Sequence, residues 1–213
     1  FMRLYNDIWQ TINTRNIRIP FQEGFLQKEI WAFDEKSIRE AVLNAVTHRD
    51  YSLKGQSIFI KTSPERFVIE SPGGFVPGVT PQNILSQCLW RNRRLAETLE
   101  KVGLVERSGQ GMDDIFEKTI RDGKGLPAIE DPSGNTIRLE IPAKIKDPAF
   151  IAYLEKIAHD KQISFAFDEI YELELIREQQ KIANIEHKSK FLQLGIVELI
   201  GGRGRGAKYI LSY

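Results

Sequence analysis

Ser37-Ile-Arg-Glu-Ala-Val-Leu-Asn-Ala-Val-Thr-His-Arg-Asp50 is the stretch on which the reading of this chain turns. Apolar residues fall at 38, 41, 42, 45 and 46, the spacing of an amphipathic helix. Ser37 followed by Glu40 reads as a capping box at its start. Positions 40, 44 and 48 step by four along one stripe, so Glu40, Asn44 and His48 are presented together. Ile38, Ala41, Val42 and Ala45 then face a sheet. Asparagine is poor in mid-helix because its side chain competes for backbone hydrogen bonds. Asn44 is therefore expected there for its side chain; the plainer alternative is a solvated polar face.

Outward from this helix the pattern alternates between strands and helices. Ser57-Ile-Phe-Ile-Lys-Thr62 and Arg66-Phe-Val-Ile-Glu70 read as a hairpin joined by Ser63-Pro-Glu65. Residues 95–103 form a helix ending at Gly103, residues 113–121 form another, and residues 135–141 alternate as a strand. Two prolines in Ile141-Pro-Ala-Lys-Ile-Lys-Asp-Pro148 bracket a linker, which places a domain at 1–145 and a second at 148–213. Helical patterns at 149–158, 167–176 and 185–194, the last capped by Gly195, precede a strand, a Gly/Arg tip and a returning strand. Three helices and a hairpin describe a winged helix-turn-helix. The fold class is α+β: a mixed sheet covered by helices, then the winged helix.

The 213 residues are 41% hydrophobic and 28% charged, ordinary for a globular chain. No apolar run reaches the ~18–20 residues of a membrane span, and the first residues lack the layout of a signal peptide, so a cytoplasmic protein is expected. A Phe precedes Met2, so the natural chain is expected to begin further upstream. The single Cys88 forms no internal disulfide, and with three scattered histidines a zinc site is not expected. Trp9, Trp31 and Trp90 read as packing residues, since none sits in a basic cluster.

Two glycine loops add to the helix. Glu70-Ser-Pro-Gly-Gly-Phe75 opens a loop where backbone can approach a ligand, and Arg107-Ser-Gly-Gln-Gly-Met112 leads into a helix whose free amides attract phosphate. Each alone is also ordinary turn chemistry. In order, however, Glu40-Ala-Val-Leu-Asn44, Ser71-Pro-Gly-Gly74 and Ser108-Gly-Gln-Gly111 resemble the asparagine box and two glycine boxes of the GHKL ATP-binding fold. Together with residues 39–52, Arg91-Asn-Arg-Arg-Leu-Ala96 and residues 103–112, the series is similar to transcriptional regulators related to the RecG C-terminal type.

The resemblance implies an ATP and Mg²⁺ site. It places Asn44 on the cation bridging the phosphates, where an amide oxygen suits a hard ion. Glu40 matches the acid that activates water in hydrolytic members, so weak ATPase activity is one reading. His48, Glu70, Gly73, Gly74, Ser108, Gly109 and Gly111 are the remaining nucleotide-site candidates, with Glu70 in the register of the acid that holds adenine. No G-x-x-x-x-G-K-[ST] loop occurs, so strand separation is not expected.

Residues 150–213 carry nine basic and nine acidic residues, but from Lys188 onward five basic residues face only Glu198. Lys188 and Lys190 on the third helix, and Arg203, Arg205 and Lys208 at the hairpin, are the expected DNA contacts, with a homodimer on paired half-sites. The acidic second helix (Asp168, Glu169, Glu172, Glu174) suggests the alternative of a protein-docking face. Three readings stand: a nucleotide-binding transcriptional regulator, an ATP-hydrolysing enzyme, and a DNA- or protein-binding module with a degenerate pocket.

Overall fold

The computed structural model describes residues 2–23, 25–104, 111–202 and 204–213. Helix α1 (Met2–Asn13) leads into strands β1 (Arg18–Glu23) and β2 (Leu26–Trp31), then helix α2 (Glu35–His48). Strands β3 (Phe59–Thr62) and β4 (Arg66–Pro72) precede helices α3 (Arg93–Lys101) and α4 (Gly111–Arg121). Strands β5 (Ala128–Glu130) and β6 (Thr136–Pro142) follow. Helices α5 (Pro148–Lys161), α6 (Phe167–Gln179) and α7 (Ile185–Leu194) and strands β7 (Val197–Gly201) and β8 (Lys208–Leu211) end the chain. The class is α+β, as the sequence implied. Among the described residues no helix is long and apolar enough to cross a membrane.

Contacts divide the chain into two units, neither a single stretch. One holds Phe1–Pro20, Glu29–Thr119 and Leu126–Lys144; the other holds Phe21–Lys28, Ile120–Gly125 and Ile145–Tyr213.

In the first unit four strands pair in the order β3-β4-β6-β5, all antiparallel. Alternation along β4 turns Phe67, Ile69 and Ser71 to the buried face. Phe67 and Ile69 pack there with Ile38, Ala41, Val42 and Ala45 of α2, joined by Ile115, Leu139 and Ile141. Helix α2 differs from expectation at its start. Its N-cap is Asp34, whose carboxylate accepts from the Ser37 N–H at 2.9 Å and from Ser37 Oγ at 3.0 Å, so the helix begins ahead of the Ser37 box. Its supposed polar face is not solvated either: Ser37, Glu40, Leu43 and Thr47 are buried along with the apolar stripe. Part of the cover is α1, which contributes Tyr5 and Ile12 to the same core. The opening residues, to which the sequence reading assigns no element, are thus part of the core.

The second unit has its three helices and hairpin in the order expected. Phe150, Ile170, Leu173, Ile176, Phe191 and Ile196 are fully buried in it. Asp147 accepts from the Phe150 N–H at the start of α5, and Asn184 from the Glu186 and His187 N–H groups at the start of α7. Of the acidic residues Asp168, Glu169, Glu172 and Glu174 on α6, three are buried within the unit, while Asp168 is exposed, 3.3 Å from His187 Nε2. Glu169 accepts from the Ala166 N–H (3.1 Å) and pairs with Lys190. Glu172 accepts from the Ala183 and Asn184 N–H groups of the turn before α7. Glu174, only 1% exposed, is held by Arg177 (Nε, 2.9 Å). Turn amides and a buried guanidinium need partners, and these carboxylates supply them.

Candidate functional site

A helix leaves its last four carbonyls without intrahelical donors. At the end of α2 the donors come from elsewhere in the first unit. Ser71 Oγ donates to Ala45 O at 2.8 Å and the Tyr51 hydroxyl to Val46 O at 3.1 Å. Asn92 Nδ2 donates to both Thr47 O (2.9 Å) and Arg49 O (2.7 Å). Three of the sequence runs behind the resemblance, residues 39–52, 70–75 and 91–96, therefore converge on one helix end.

The same runs are clasped to one another. The Asp50 N–H donates to Pro72 O at 2.7 Å, and Gly73 (φ +108) lies so close that a Cβ on it would fall 2.8 Å from Asp50 Cβ. Arg91 closes the clasp, with Nη2 donating to Gly74 O at 2.5 Å and Nη1 lying 3.8 Å from Asp50 Oδ2. Arg49 binds the carbonyls of Leu53 and Gln56 and lies over the Tyr51 ring, which shapes the loop after α2. His48 stacks on Trp90, ring centroids 5.4 Å apart. Burial, and then the charge of Arg91, hold its pKa below the ordinary 6.5, so the imidazole is neutral at neutral pH.

Beside this clasp is a cavity of about 120 Å³. Asn44, His48, Ser71, Gly73, Trp90 and Met112 line it with apolar side chains of β4, β5, β6 and residues 75–89. Among the described residues no Asp, Glu, Lys or Arg side chain lines it. At one end Asn44 Nδ2 lies 3.5 Å from Met112 Sδ, which leaves Oδ1 as the amide atom available to a further partner. Glu40, 3% exposed, lies against the first residue of α4: a Cβ on Gly111 would sit 2.5 Å from its Oε2. Arg39 Nη2 is 3.6 Å from its other oxygen.

The structure brings Glu40, Asn44, His48, Gly73, Gly74 and Gly111 into one neighbourhood around the cavity and the first turn of α4. Glu70 is a correction. It lies on the opposite face of β4 from Ile69 and Ser71, because successive side chains alternate. There it meets Arg138 (2.8 Å) and Lys61 (3.5 Å), and Arg138 holds its carboxyl below the usual range. Ser71 is the polar β4 side chain at the cavity. Ser108 and Gly109 lie outside the described residues. Of the expected DNA contacts, Lys190 is paired with Glu169, Lys188 Nζ lies 5.3 Å from the Tyr209 ring centroid, and Lys208 is exposed on β8. Arg203 and the side chain of Arg205 lie outside the described residues.

Trp90, Arg91, Asn92, Tyr51 and Ser71 are the residues that single-residue reasoning passed over. Trp90 was expected only to pack, yet it carries His48 and a wall of the cavity. A sequence offers little sign of a side chain that caps a helix 45 residues away, as Asn92 does.

Residues 55–141 match the family model described as "Putative ATP-dependent DNA helicase recG C-terminal", named for a HATPase domain. The likeness of that segment is to a RecG-related, HATPase-like domain. The segment contains the Ser71-Gly74 loop and the Arg91-Asn92 run, and it begins after α2. The chain is similar in structure to the DIP2311 protein from Corynebacterium diphtheriae, with a TM-score of 0.76 and 21% sequence identity. The match covers 98% of this chain and 45% of that one, so the chain spans less than half of its length. At that identity the likeness is one of fold. No curated protein matches the chain.

Proposed function

We propose that the first unit binds a nucleotide with its base in the cavity and its phosphates toward Asn44 and the start of α4. The observation that carries this reading is the largely apolar cavity at the end of α2, with no charged side chain on it among the described residues, in a chain with a HATPase-like segment. The residues present fit the ligand. A ring system suits the apolar walls between β4 and Trp90. Asn44 Oδ1 is an oxygen ligand of the kind Mg²⁺ prefers. Only glycine at 111 leaves room beside Glu40, so backbone there comes close to the site. Bound Mg²⁺ would neutralise phosphate charge; Asn44 orients it and the clasp of Asp50, Gly73 and Arg91 fixes the loop that holds the base.

Thermal unfolding with and without Mg·ATP tests the reading. Specific binding stabilises the folded chain by linkage, by about 2.7 kcal/mol at a hundredfold excess over Kd, and so raises the midpoint. Asn44→Ala is expected to remove that rise, and no rise at millimolar nucleotide in the wild-type chain sinks the proposal.

The second unit is proposed as a winged helix acting on DNA, which makes the whole a cytoplasmic, homodimeric transcriptional regulator. Its three helices followed by a two-stranded hairpin support this. With Lys190 in an ion pair, Lys188, Arg203, Arg205 and Lys208 carry the phosphate contacts. Replacing Arg203, Arg205 and Lys208 together by Ala is expected to abolish salt-dependent DNA binding; unchanged affinity refutes it. A second reading, hydrolysis, is favoured by the buried Glu40 carboxylate beside Gly111. Phosphate release that disappears in Glu40→Gln supports turnover, and none in the wild type excludes it.

A further inference from the structure

The side chain of Asn44 lines the cavity, and an amide has two unlike ends. Oδ1 can only accept and Nδ2 can only donate, so a half-turn about χ2 reverses what a ligand meets. No bond within α2 selects the orientation. The selecting atom comes 68 residues later, on the first turn of α4, where Asn44 Nδ2 donates to Met112 Sδ at 3.5 Å. A thioether sulfur carries lone pairs and no proton, so it accepts from Nδ2 and repels Oδ1. Among the described residues the side-chain amide of Asn44 makes no other hydrogen bond. The turn that brings the sulfur is held close: a Cβ on Gly111 would sit 3.6 Å from Asn44 Nδ2. Met112 itself is partly buried against the core and shares the cavity wall with Asn44. A leucine would fill the same volume, but it has no acceptor to offer.

Resting on the nucleotide reading above, we infer that Met112 is a positioning residue for the cation. Its sulfur fixes the Asn44 amide with Nδ2 against α4, which keeps Oδ1 for the Mg²⁺ that accompanies the phosphates. An amide turned the other way presents N–H groups to the cation and repels it. Without the sulfur both orientations are open, and the apparent affinity for the cation falls by the fraction of chains in the wrong one. Met112 acts here through Asn44 alone and is not itself a ligand.

The test is the Mg²⁺ gain, the ratio of ATP affinities measured by calorimetric titration of the whole chain with Mg²⁺ and with EDTA. Met112→Leu keeps the volume and removes the acceptor. It is expected to shrink the gain roughly two- to tenfold while leaving the affinity in EDTA as in the wild type. Asn44→Ala is expected to remove the gain, and Met112→Leu added to it to change nothing further, because the sulfur works through the amide. A packing role alone would weaken both conditions and add to Asn44→Ala, which overturns the inference. A second readout needs no ligand. Nitrogen relaxation of the Asn44 side-chain amide, assigned by its disappearance in Asn44→Ala, is expected to show a rigid group in the wild type and a mobile one in Met112→Leu. If Met112→Leu does not fold, the wild-type amide decides by itself, and a mobile one overturns the inference. An undiminished gain in folded Met112→Leu, or ATP binding with no Mg²⁺ gain in the wild type, overturns it and leaves nucleotide binding intact. Failure of ATP to bind under either condition overturns the nucleotide reading, and the inference with it.

Discussion

Gly73→Ala puts the largest load on the clasp. The residue sits at φ +108, a conformation that an L side chain rarely adopts, and forcing alanine into it costs about 1–3 kcal/mol. The added Cβ would then meet Asp50 Cβ at 2.8 Å, the Asp50 backbone nitrogen at 3.0 Å and Arg91 Cζ at 3.3 Å. Two of these three atoms cannot rotate away. Relief requires the Asp50 segment to retreat, which lengthens the 2.7 Å bond from its N–H to Pro72 O, a loss of about 1 kcal/mol. The combined cost is about 2–4 kcal/mol, a large share of the stability of an ordinary domain. Urea unfolding followed by tryptophan fluorescence and circular dichroism reads it. Gly134→Ala is the control, since Gly134 also has positive φ (+75) but no heavy atom lies within 4 Å of the added Cβ. Asp50→Gly in the Gly73→Ala background deletes the nearest clashing atom and is expected to recover part of the loss. If Gly73→Ala costs no more than Gly134→Ala, the close approach of residues 50 and 73 is wrong.

Arg91→Lys is expected to destabilise by about 1–3 kcal/mol and to weaken nucleotide binding, because an ammonium cannot span Gly74 O and Asp50 as the guanidinium does; denaturant melts and titrations measure both. His48 has a pKa held down in the folded chain, so the unfolded chain binds its proton more readily. Stability is thus expected to fall as pH drops below 6.5, by up to about 1.4 kcal/mol per pH unit, with that component missing in His48→Gln when melts are compared across pH 5 to 8. Glu70→Gln is expected to leave the ATP-induced rise in midpoint unchanged and to cost about 1 kcal/mol or less, since its partner Arg138 is substantially exposed. Because the Glu70 carboxyl is held below its ordinary pKa, that small contribution belongs above pH 4.5 and is lost as pH falls further.

How much of this was legible in the sequence differs from residue to residue. Helix α2, the β3–β4 hairpin and the three C-terminal helices follow from local periodicity, and they are where the pattern put them. Helix α1 is absent from the sequence expectations, although Tyr5, Ile8, Trp9 and Ile12, which pack into the core, stand at the i, i+3, i+4, i+7 spacing of an amphipathic helix. Asn44 could be singled out because it violates a local preference, and it does reach the cavity. Glu70 was misplaced by one residue of register. On a strand a single step exchanges the two faces, so the carboxylate read into the site lies outside it and Ser71 lies within. Asn92 acts across more than forty residues of sequence on main-chain carbonyls, and Arg91 across 17 on Gly74 O, which no side-chain pattern reveals.

The end of α2 carries a consequence for the order in which the molecule assembles. Its final carbonyls wait for Ser71, 26 residues later, and for Asn92, which arrives later still. Until β4 and the start of α3 have docked, that last turn is free to fray, and its amides exchange with solvent at the rate of local opening. The first turn is held by Asp34, which accepts from the Ser37 N–H three residues on, and needs no such help. Protection from hydrogen exchange should therefore run from the front of the helix to its back, the back acquiring it only in the fully closed domain. Asn92→Ala would keep the sheet and lose the donor to Thr47 O and Arg49 O that holds the helix end beside the cavity.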